Sequence, residues 1–123
     1  MSGLVDQSAD ARSKTIGQNF RCRAWVNFKG TGTVAIRASG NVSSITDVGA
    51  GDYTVNYTTA MPDANYVCNI NCADNNNSTV LGQAIYSASF GGTDPSTSAI
   101  RIVTPNSSSG GTDNEYVLVA IFR

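Results

Sequence analysis

The sequence lacks the residue on which most catalytic side-chain sets depend. None of its 123 residues is a histidine, which excludes Ser-His-Asp and Cys-His catalysis and every histidine-containing metal site. No serine lies in a Gly-x-Ser-x-Gly turn, so the nucleophile elbow of the α/β-hydrolases is also missing. The only lysines, Lys14 and Lys29, fall in a segment without periodicity and in a glycine-rich turn. The sequence therefore predicts a protein that is not an enzyme.

Paired carboxylates are the remaining route to hydrolysis, as in glycosidases. Most of the aspartates fall in predicted turns and loops, where aspartate commonly bonds to the local backbone. Asp47 and Asp52 flank one such loop and could face each other, but we interpret both as turn residues. The oxygen-rich loops at 47–52 and 74–78 could offer calcium ligands, yet neither has EF-hand spacing. We expect no catalytic residues, no metal and no cofactor.

The three cysteines do not form a disulfide framework. Their number is odd, and no export signal is recognisable before them. On a strand, Cys68 and Cys72 share one face but stand about 13 Å apart, whereas a disulfide needs Cα atoms within about 7 Å. We therefore expect Cys68, Cys72 and Cys22 to be reduced and packed as small apolar side chains.

The aromatic residues and a run of asparagines are the candidates for ligand binding. Trp25 is the only tryptophan and falls on the polar face of its strand, where it can stack on a sugar ring, fill an interface or close the edge of the core. A carbohydrate-binding face would need two or three exposed aromatics, for which Tyr57 and Tyr86 are the other candidates. The predicted ligand-binding residues are Trp25, Asn75, Asn76, Asn77 and Tyr86.

Charge and hydropathy exclude two classes of partner. Charged residues make up 14% of the chain and the formal net charge is −1. Because the basic residues are scattered, no patch is suited to a phosphate backbone, and we expect no nucleic-acid binding. No apolar run approaches the ~20 residues that a membrane helix needs, so we expect no membrane insertion.

The dominant period of the sequence is two, which is typical of strands with one face on a core. From residue 20 to 28, Phe, Cys, Ala, Val and Phe alternate with Arg, Arg, Trp and Asn. Turn residues recur every 8–12 positions after that. We predict an all-β fold: an antiparallel, jelly-roll-like β-sandwich of about seven or eight strands at 20–123, preceded by a short N-terminal arm or linker at 1–19. A long strand is expected at 80–90 and a loop at 47–52.

The last predicted strand, at 116–122, is apolar on both faces. Such a strand is either central in a sandwich or buried against another subunit. An exposed apolar face would favour aggregation unless something covered it. We predict that this strand contributes to a contact between copies of the chain, with Tyr116, Val117, Val119 and Ile121 as interface residues.

One long stretch resembles a known family. It begins with CRAWVNF at 22–28 and GTGTVAIRAS at 30–39, and continues with NVSSITD at 41–47 and GDYTVNYTTAMPDANY at 51–66. Together these runs are similar to the C-terminal module of phage tail-fibre-like and virion spike proteins, including those of marine and cyanobacterial phages. The similarity is specific over 22–66 and looser after residue 67.

The resemblance implies a structural role in a bacteriophage particle. It implies a non-enzymatic virion protein, a tail fibre or surface spike, that is assembled in the host cytoplasm. Its expected partners are two further copies in a homotrimer, other virion proteins, and host cell-surface polysaccharide contacted by displayed loops. A capsid decoration or adaptor protein without receptor binding, and a stand-alone carbohydrate-binding module, remain the alternatives.

Overall fold

The computed structural model describes residues 21–73, 84–88, 91–105 and 111–123, so the predicted arm at 1–19 lies outside the described residues. The described chain is an antiparallel β-sandwich of two four-stranded sheets, which confirms the predicted fold class. Sheet A has the order β2-β1-β8-β5, and sheet B has the order β3-β4-β7-β6. The strands are β1 (Cys22–Lys29), β2 (Ala35–Gly40), β3 (Val42–Gly49), β4 (Asp52–Tyr57), β5 (Val67–Ala73), β6 (Ala84–Ile85), β7 (Ala99–Val103) and β8 (Tyr116–Phe122).

Alternating side chains explain how the two sheets meet. In β1, Ala24, Val26 and Phe28 are buried while Trp25 between them is exposed. In sheet B, β4 and β7 contribute the opposite wall of the core with the same alternation. The rings of Phe28 and Tyr53 meet edge to face across the interior, with centroids 5.1 Å apart, a geometry that adds to the stability gained from burial.

The two apolar faces of β8 have different surroundings, and this corrects the predicted interface. Val117, Val119 and Ile121 are 0%, 4% and 0% exposed, because they face sheet B of the same chain. Their prediction as subunit-contact residues is wrong: the neighbour that covers them is intramolecular. The opposite face of β8 carries Tyr116, which is exposed, as is Leu118.

A partly buried hydrogen-bond network closes one end of the sandwich. The Tyr53 hydroxyl donates to Asp113 Oδ1 at 2.8 Å, and the same oxygen accepts from the Gly51 backbone N–H at 2.8 Å. Burial, and secondarily the Asp113 carboxylate, raises the pKa of Tyr53, so the hydroxyl stays protonated as a donor. Gly51 has a φ of +63°, and a Cβ there would collide with the backbone around Thr112.

Two predicted boundaries are wrong. Residues 47–52 do not form a loop, because β3 continues to Gly49 and β4 begins at Asp52, which leaves a tight turn at Ala50 and Gly51. The long strand predicted at 80–90 is a strand only at Ala84–Ile85 among its described residues. The chain leaves the sheet at Tyr86, whose carbonyl accepts from the Thr93 N–H at 2.9 Å.

An ion pair ties the turn before β5 to the end of the chain. Asp63 accepts two hydrogen bonds from Arg123, at 3.0 and 2.8 Å, and one from the Asn65 backbone N–H at 2.9 Å. These donors, Arg123 foremost, lower the pKa of Asp63 from 3.8 to about 2. The ionised carboxylate therefore favours the folded chain.

The first prediction concerns the two faces of β8. Val119→Asp should unfold the chain or destabilise it by about 4 kcal/mol or more, because it puts an unpaired charge among buried apolar side chains. Leu118→Asp, one residue away on the opposite face, should cost less than about 1 kcal/mol. Urea denaturation followed by circular dichroism measures both. Equal stability of the two variants would contradict the assignment of faces.

The second prediction concerns acid stability. Because the pKa of Asp63 is lowered in the folded state, the ionised carboxylate stabilises the folded chain at pH values above the ordinary pKa of aspartate. This stabilisation is lost as the pH falls from about 4 towards 2. The urea midpoint of the wild type should therefore decrease between about pH 5 and pH 2. In Asp63→Asn the decrease should be smaller, since other carboxylates still titrate. An identical decrease in both proteins would show that the ion pair has no role.

Candidate functional site

The outer face of sheet A carries the clearest candidate site. Residues opposite each other on paired strands share a face, and the pairing places Trp25 of β1 beside Ala120 of β8, and Ala120 beside Asn69 of β5. The next row towards the other end of the strands is Asn27, Leu118 and Asn71. The two rows cross β1, β8 and β5 with outward-facing side chains.

These rows enclose a shallow groove of about 240 Å³. Its sides belong to β1 and β5, with Trp25 on one side and Asn69 and Asn71 on the other. Ala120 lies between the larger residues Trp25 and Asn69, and the depression exists because the Ala120 side chain is small. We name this feature the Trp25 groove, lined by Trp25, Val26, Asn27, Asn69, Asn71, Leu118, Val119 and Ala120.

Gly40 fixes the position of the indole. Gly40 of β2 is directly opposite Trp25, and a Cβ on it would overlap the indole Nε1 and lie 2.9 Å from Cδ1. The indole can therefore lean over β2 only because this position has no side chain. In that position Trp25 remains 44% exposed.

The amides on β5 are available to a ligand. Asn69 and Asn71 are both exposed, and within the described residues neither side chain hydrogen-bonds to the protein. Each amide offers two N–H donors and one carbonyl acceptor. Two positions along a strand place them roughly 7 Å apart on one face. The groove thus combines an aromatic wall with a row of uncommitted donors and acceptors.

A charged cluster lies at the end of the same face. The β1–β2 pairing has a bulge between Asn27 and Phe28, where Arg37 is the β2 residue without a pairing partner on β1. The Arg37 guanidinium lies 4.2 Å from the ring centre of Tyr116. Arg37 also donates to Glu115 at 2.8 Å. The pKa of Glu115 is lowered first by the hydrogen bond from the Thr31 hydroxyl and then by the positive charges of Lys29 and Arg37. The positive charge nearest Tyr116 is therefore already paired.

Tyr86 packs against the outer face of the other sheet, so Trp25 and Tyr86, two predicted ligand residues, are not brought together. Its ring packs under the Arg101 guanidinium at 4.8 Å, and Arg101 forms two hydrogen bonds with Asp52, at 2.9 and 2.7 Å. Arg101 alternates with buried residues of β7 and so belongs to the outer face of sheet B. Tyr57, the third aromatic candidate, is buried in the core, and Asn75, Asn76 and Asn77 lie outside the described residues.

The polar residues considered for catalysis are not assembled into a site. Asp47 pairs with Tyr53, the neighbour of Asp52 in β4, so the two carboxylates project from opposite faces of sheet B. No group of three or more Cys, Asp or Glu residues in the described part of the chain is placed to hold a metal ion. Nor do the described residues include a helix long and apolar enough to span a bilayer.

The cysteine positions match the sequence interpretation in part. Cys68 and Cys72 share the inner side of β5 and are half-buried, and burial raises the pKa of the Cys68 thiol to about 12. Cys22 is exposed rather than buried, which corrects the prediction. It occupies the first position of β1, where the pairing with β8 is interrupted before Ala24 and the core has ended.

A second hollow, of about 280 Å³, lies where β1 begins, beside Asn41 and Thr59. Asn41 has a φ of 56° and uses its amide to hold the surrounding chain. Its Nδ2 donates to the carbonyls of Arg23 and Thr59, both at 3.0 Å, and its Oδ1 accepts from the Thr59 N–H at 2.6 Å. Because this amide is committed to structure, the hollow offers less to a ligand than the Trp25 groove.

The sequence interpretation found Trp25 but missed its partners. Asn69, Asn71 and Ala120 are ordinary outward positions of strands, and nothing in their local pattern distinguishes them. They form a site only because β8 lies between β1 and β5, an order that local periodicity does not specify.

The third prediction tests the role of Gly40. Gly40→Ala should displace the indole, because the added methyl group overlaps it, while the free energy of unfolding changes by less than about 1 kcal/mol, as at other surface positions. Trp25 is the only tryptophan, so its emission spectrum and its quenching by acrylamide report the displacement. Gly49→Ala, where a Cβ meets no atom within 4 Å, is the control. Unchanged emission in Gly40→Ala would contradict the contact.

Comparison of the chain with protein-family models, with curated proteins and with solved structures finds no match.

Proposed function

We propose that this chain is a non-enzymatic attachment module of a bacteriophage particle, a tail fibre or surface spike, and that it binds a host-surface glycan in the Trp25 groove. The observation that carries the binding part is the row of Trp25, Ala120 and Asn69 across three strands. The virion part is supported by the resemblance of residues 22–66 to phage fibre and spike modules. Host glycan, other virion proteins and further copies of the chain are its proposed partners.

The groove has the chemistry that a sugar needs. A sugar ring has an apolar C–H face, which packs on an exposed aromatic ring, and a rim of hydroxyl groups, which bond to amides. Trp25 supplies the ring, and Asn69 and Asn71 supply the amides. The volume of about 240 Å³ is below the ~300–1,000 Å³ of pockets for drug-sized ligands, which suits a single sugar unit of a longer chain.

The non-enzymatic part of the proposal is supported by the arrangement of the acids. A glycosidase holds two carboxyl groups about 5–10 Å apart around one glycosidic bond. The eight residues that line the groove include no carboxylate. Glu115, at the end of the same face, is already bonded to Thr31 and Arg37. The described lining of the groove is therefore suited to holding a glycan and offers no carboxylate to cleave it.

Self-association is the competing use of the same face. Trp25, Tyr116, Leu118 and Val67 are exposed large hydrophobic residues on it, and a second copy could cover them. The free amides at Asn69 and Asn71 favour a hydrated ligand over a dry subunit contact, since an interface core excludes unpaired polar groups. In the homotrimer that the resemblance implies, Tyr116 is the one predicted contact residue still exposed.

The fourth prediction tests the groove. On an array of bacterial surface polysaccharides, the wild type should bind at least one glycan, and Trp25→Ala should weaken that binding tenfold or more, about 1.4 kcal/mol. Tyr86→Ala, which removes the aromatic on sheet B, should leave it unchanged. Immunogold labelling of intact particles tests the virion assignment separately.

Three results would overturn parts of this proposal. Loss of glycan binding in Tyr86→Ala but not in Trp25→Ala would move the site to sheet B. Cleavage of the bound glycan would refute the non-enzymatic assignment. If no glycan binds and sedimentation shows that Trp25→Ala turns an oligomer into a monomer, the groove is a subunit contact.

A further inference from the structure

We infer that the Trp25 groove selects an acetamido sugar, a unit in which an N-acetyl group replaces a ring hydroxyl. This inference rests on the proposed glycan-binding function and names the ligand class more narrowly. The methyl group of the acetamido substituent would occupy the depression above Ala120, and its amide would bond to Asn69 and Asn71.

The charge of the groove excludes acidic sugars as the preferred ligand. All eight lining residues are uncharged. Strong recognition of a carboxylate or phosphate uses charge-assisted bonds, most often from arginine. Arg37, which donates to Asn27 of the groove lining at 3.4 Å, already pairs with Glu115 at 2.8 Å and stacks on Tyr116. Arg23, two positions before Trp25 on β1, already donates to the Arg123 carbonyl at 2.9 Å. A carboxylate in the groove would therefore lose hydration without gaining an ion pair.

The apolar floor of the groove favours a ligand that carries an apolar substituent in addition to the C–H face of its sugar ring. Trp25 can contact the C–H face of the ring from the β1 side. The Ala120 and Leu118 side chains lie between Trp25 and the β5 amides, and Leu118 is 39% exposed. A hydroxyl group placed over them would lose water without gaining a partner. A methyl group in the same position buries apolar surface on both sides.

The amides supply the polar half of the match. An acetamido group has one N–H donor, one carbonyl acceptor and one methyl group. Asn69 and Asn71 each present donors and an acceptor on the same face of β5 and have no partner within the described residues. Asn69 and Asn71 are next to the apolar floor, because they are paired with Ala120 and Leu118. An acetamido group can therefore bond to the amides while its methyl group packs on the floor. A 6-deoxy sugar would offer the methyl group without the amide.

The test compares two neutral disaccharides that differ at the acetamido position. N,N′-diacetylchitobiose and cellobiose are titrated into the full chain, and binding is followed by calorimetry and by the emission of Trp25. We expect the diacetylated sugar to bind at least tenfold more tightly. Ala120→Leu should abolish this preference, because the larger side chain fills the depression. Ala38→Leu, the same change at an exposed position of β2 on the same face, should retain it.

The outcomes separate the inference from the function on which it rests. Equal binding of the two sugars, tighter binding of cellobiose, or a preference that survives Ala120→Leu would overturn the inference and leave glycan binding in place. Binding of acidic or 6-deoxy glycans alone would do the same. The absence of binding to any glycan would overturn both.

Discussion

The register of β8 between β1 and β5 is the constraint on which the structure depends. β8 is a central strand of sheet A, and its alternation sends Val117, Val119 and Ile121 into the core. The same alternation leaves Leu118 and Ala120 on the outer face. A slip of one residue would exchange the two sets and expose the core. Because burial of the core fixes the register, it also fixes which residues surround the groove.

The groove is thus a consequence of packing on the other side of the sheet. Trp25 faces outward because Ala24 and Val26 face inward. It leans over β2 because Gly40 has no side chain, and Ala120 leaves space beside it because it is small. None of these features is needed for the core, which involves the opposite face of each strand. Substitutions at the outward-facing positions of the groove, such as Trp25, Asn69 and Ala120, are therefore expected to affect binding with little effect on the free energy of unfolding, and this allows the function to be tested in folded variants.

The sequence predicted the class of fold because its signal is local. Period two in β1, β4 and β7 follows from one buried and one exposed face, and each of these strands formed where the alternation is regular. Prediction failed where non-local contacts decide. Tyr86 continues an apolar pattern but leaves the sheet in a turn closed by Thr93. In β8 the pattern correctly showed two apolar faces, yet the choice between sheet B and another subunit depended on how the sheets pack.

The site shows the same limit more strongly. Trp25 stands out by residue type, so the sequence identified it. Asn69 and Asn71 become its partners only through the strand order β1-β8-β5, which joins segments more than 40 positions apart. Trp25 and Tyr86, both candidates by residue type, are not brought together for the same reason, because the two aromatics lie on the outer faces of opposite sheets. Residue type indicated which side chains can bind a ligand, and strand order decided which of them lie together in one site.

The most direct test of acetamido-sugar binding at this face is a nuclear magnetic resonance titration of the isotope-labelled chain with an acetamido disaccharide. The single indole N–H resonance reports Trp25, and side-chain amide and methyl resonances report Asn69, Asn71 and Ala120. We predict that these four signals shift together and saturably, while the signals of Tyr86 and Arg101 on sheet B stay in place. Shifts confined to sheet B, or no saturable shift at any of the four groove residues, would contradict the account.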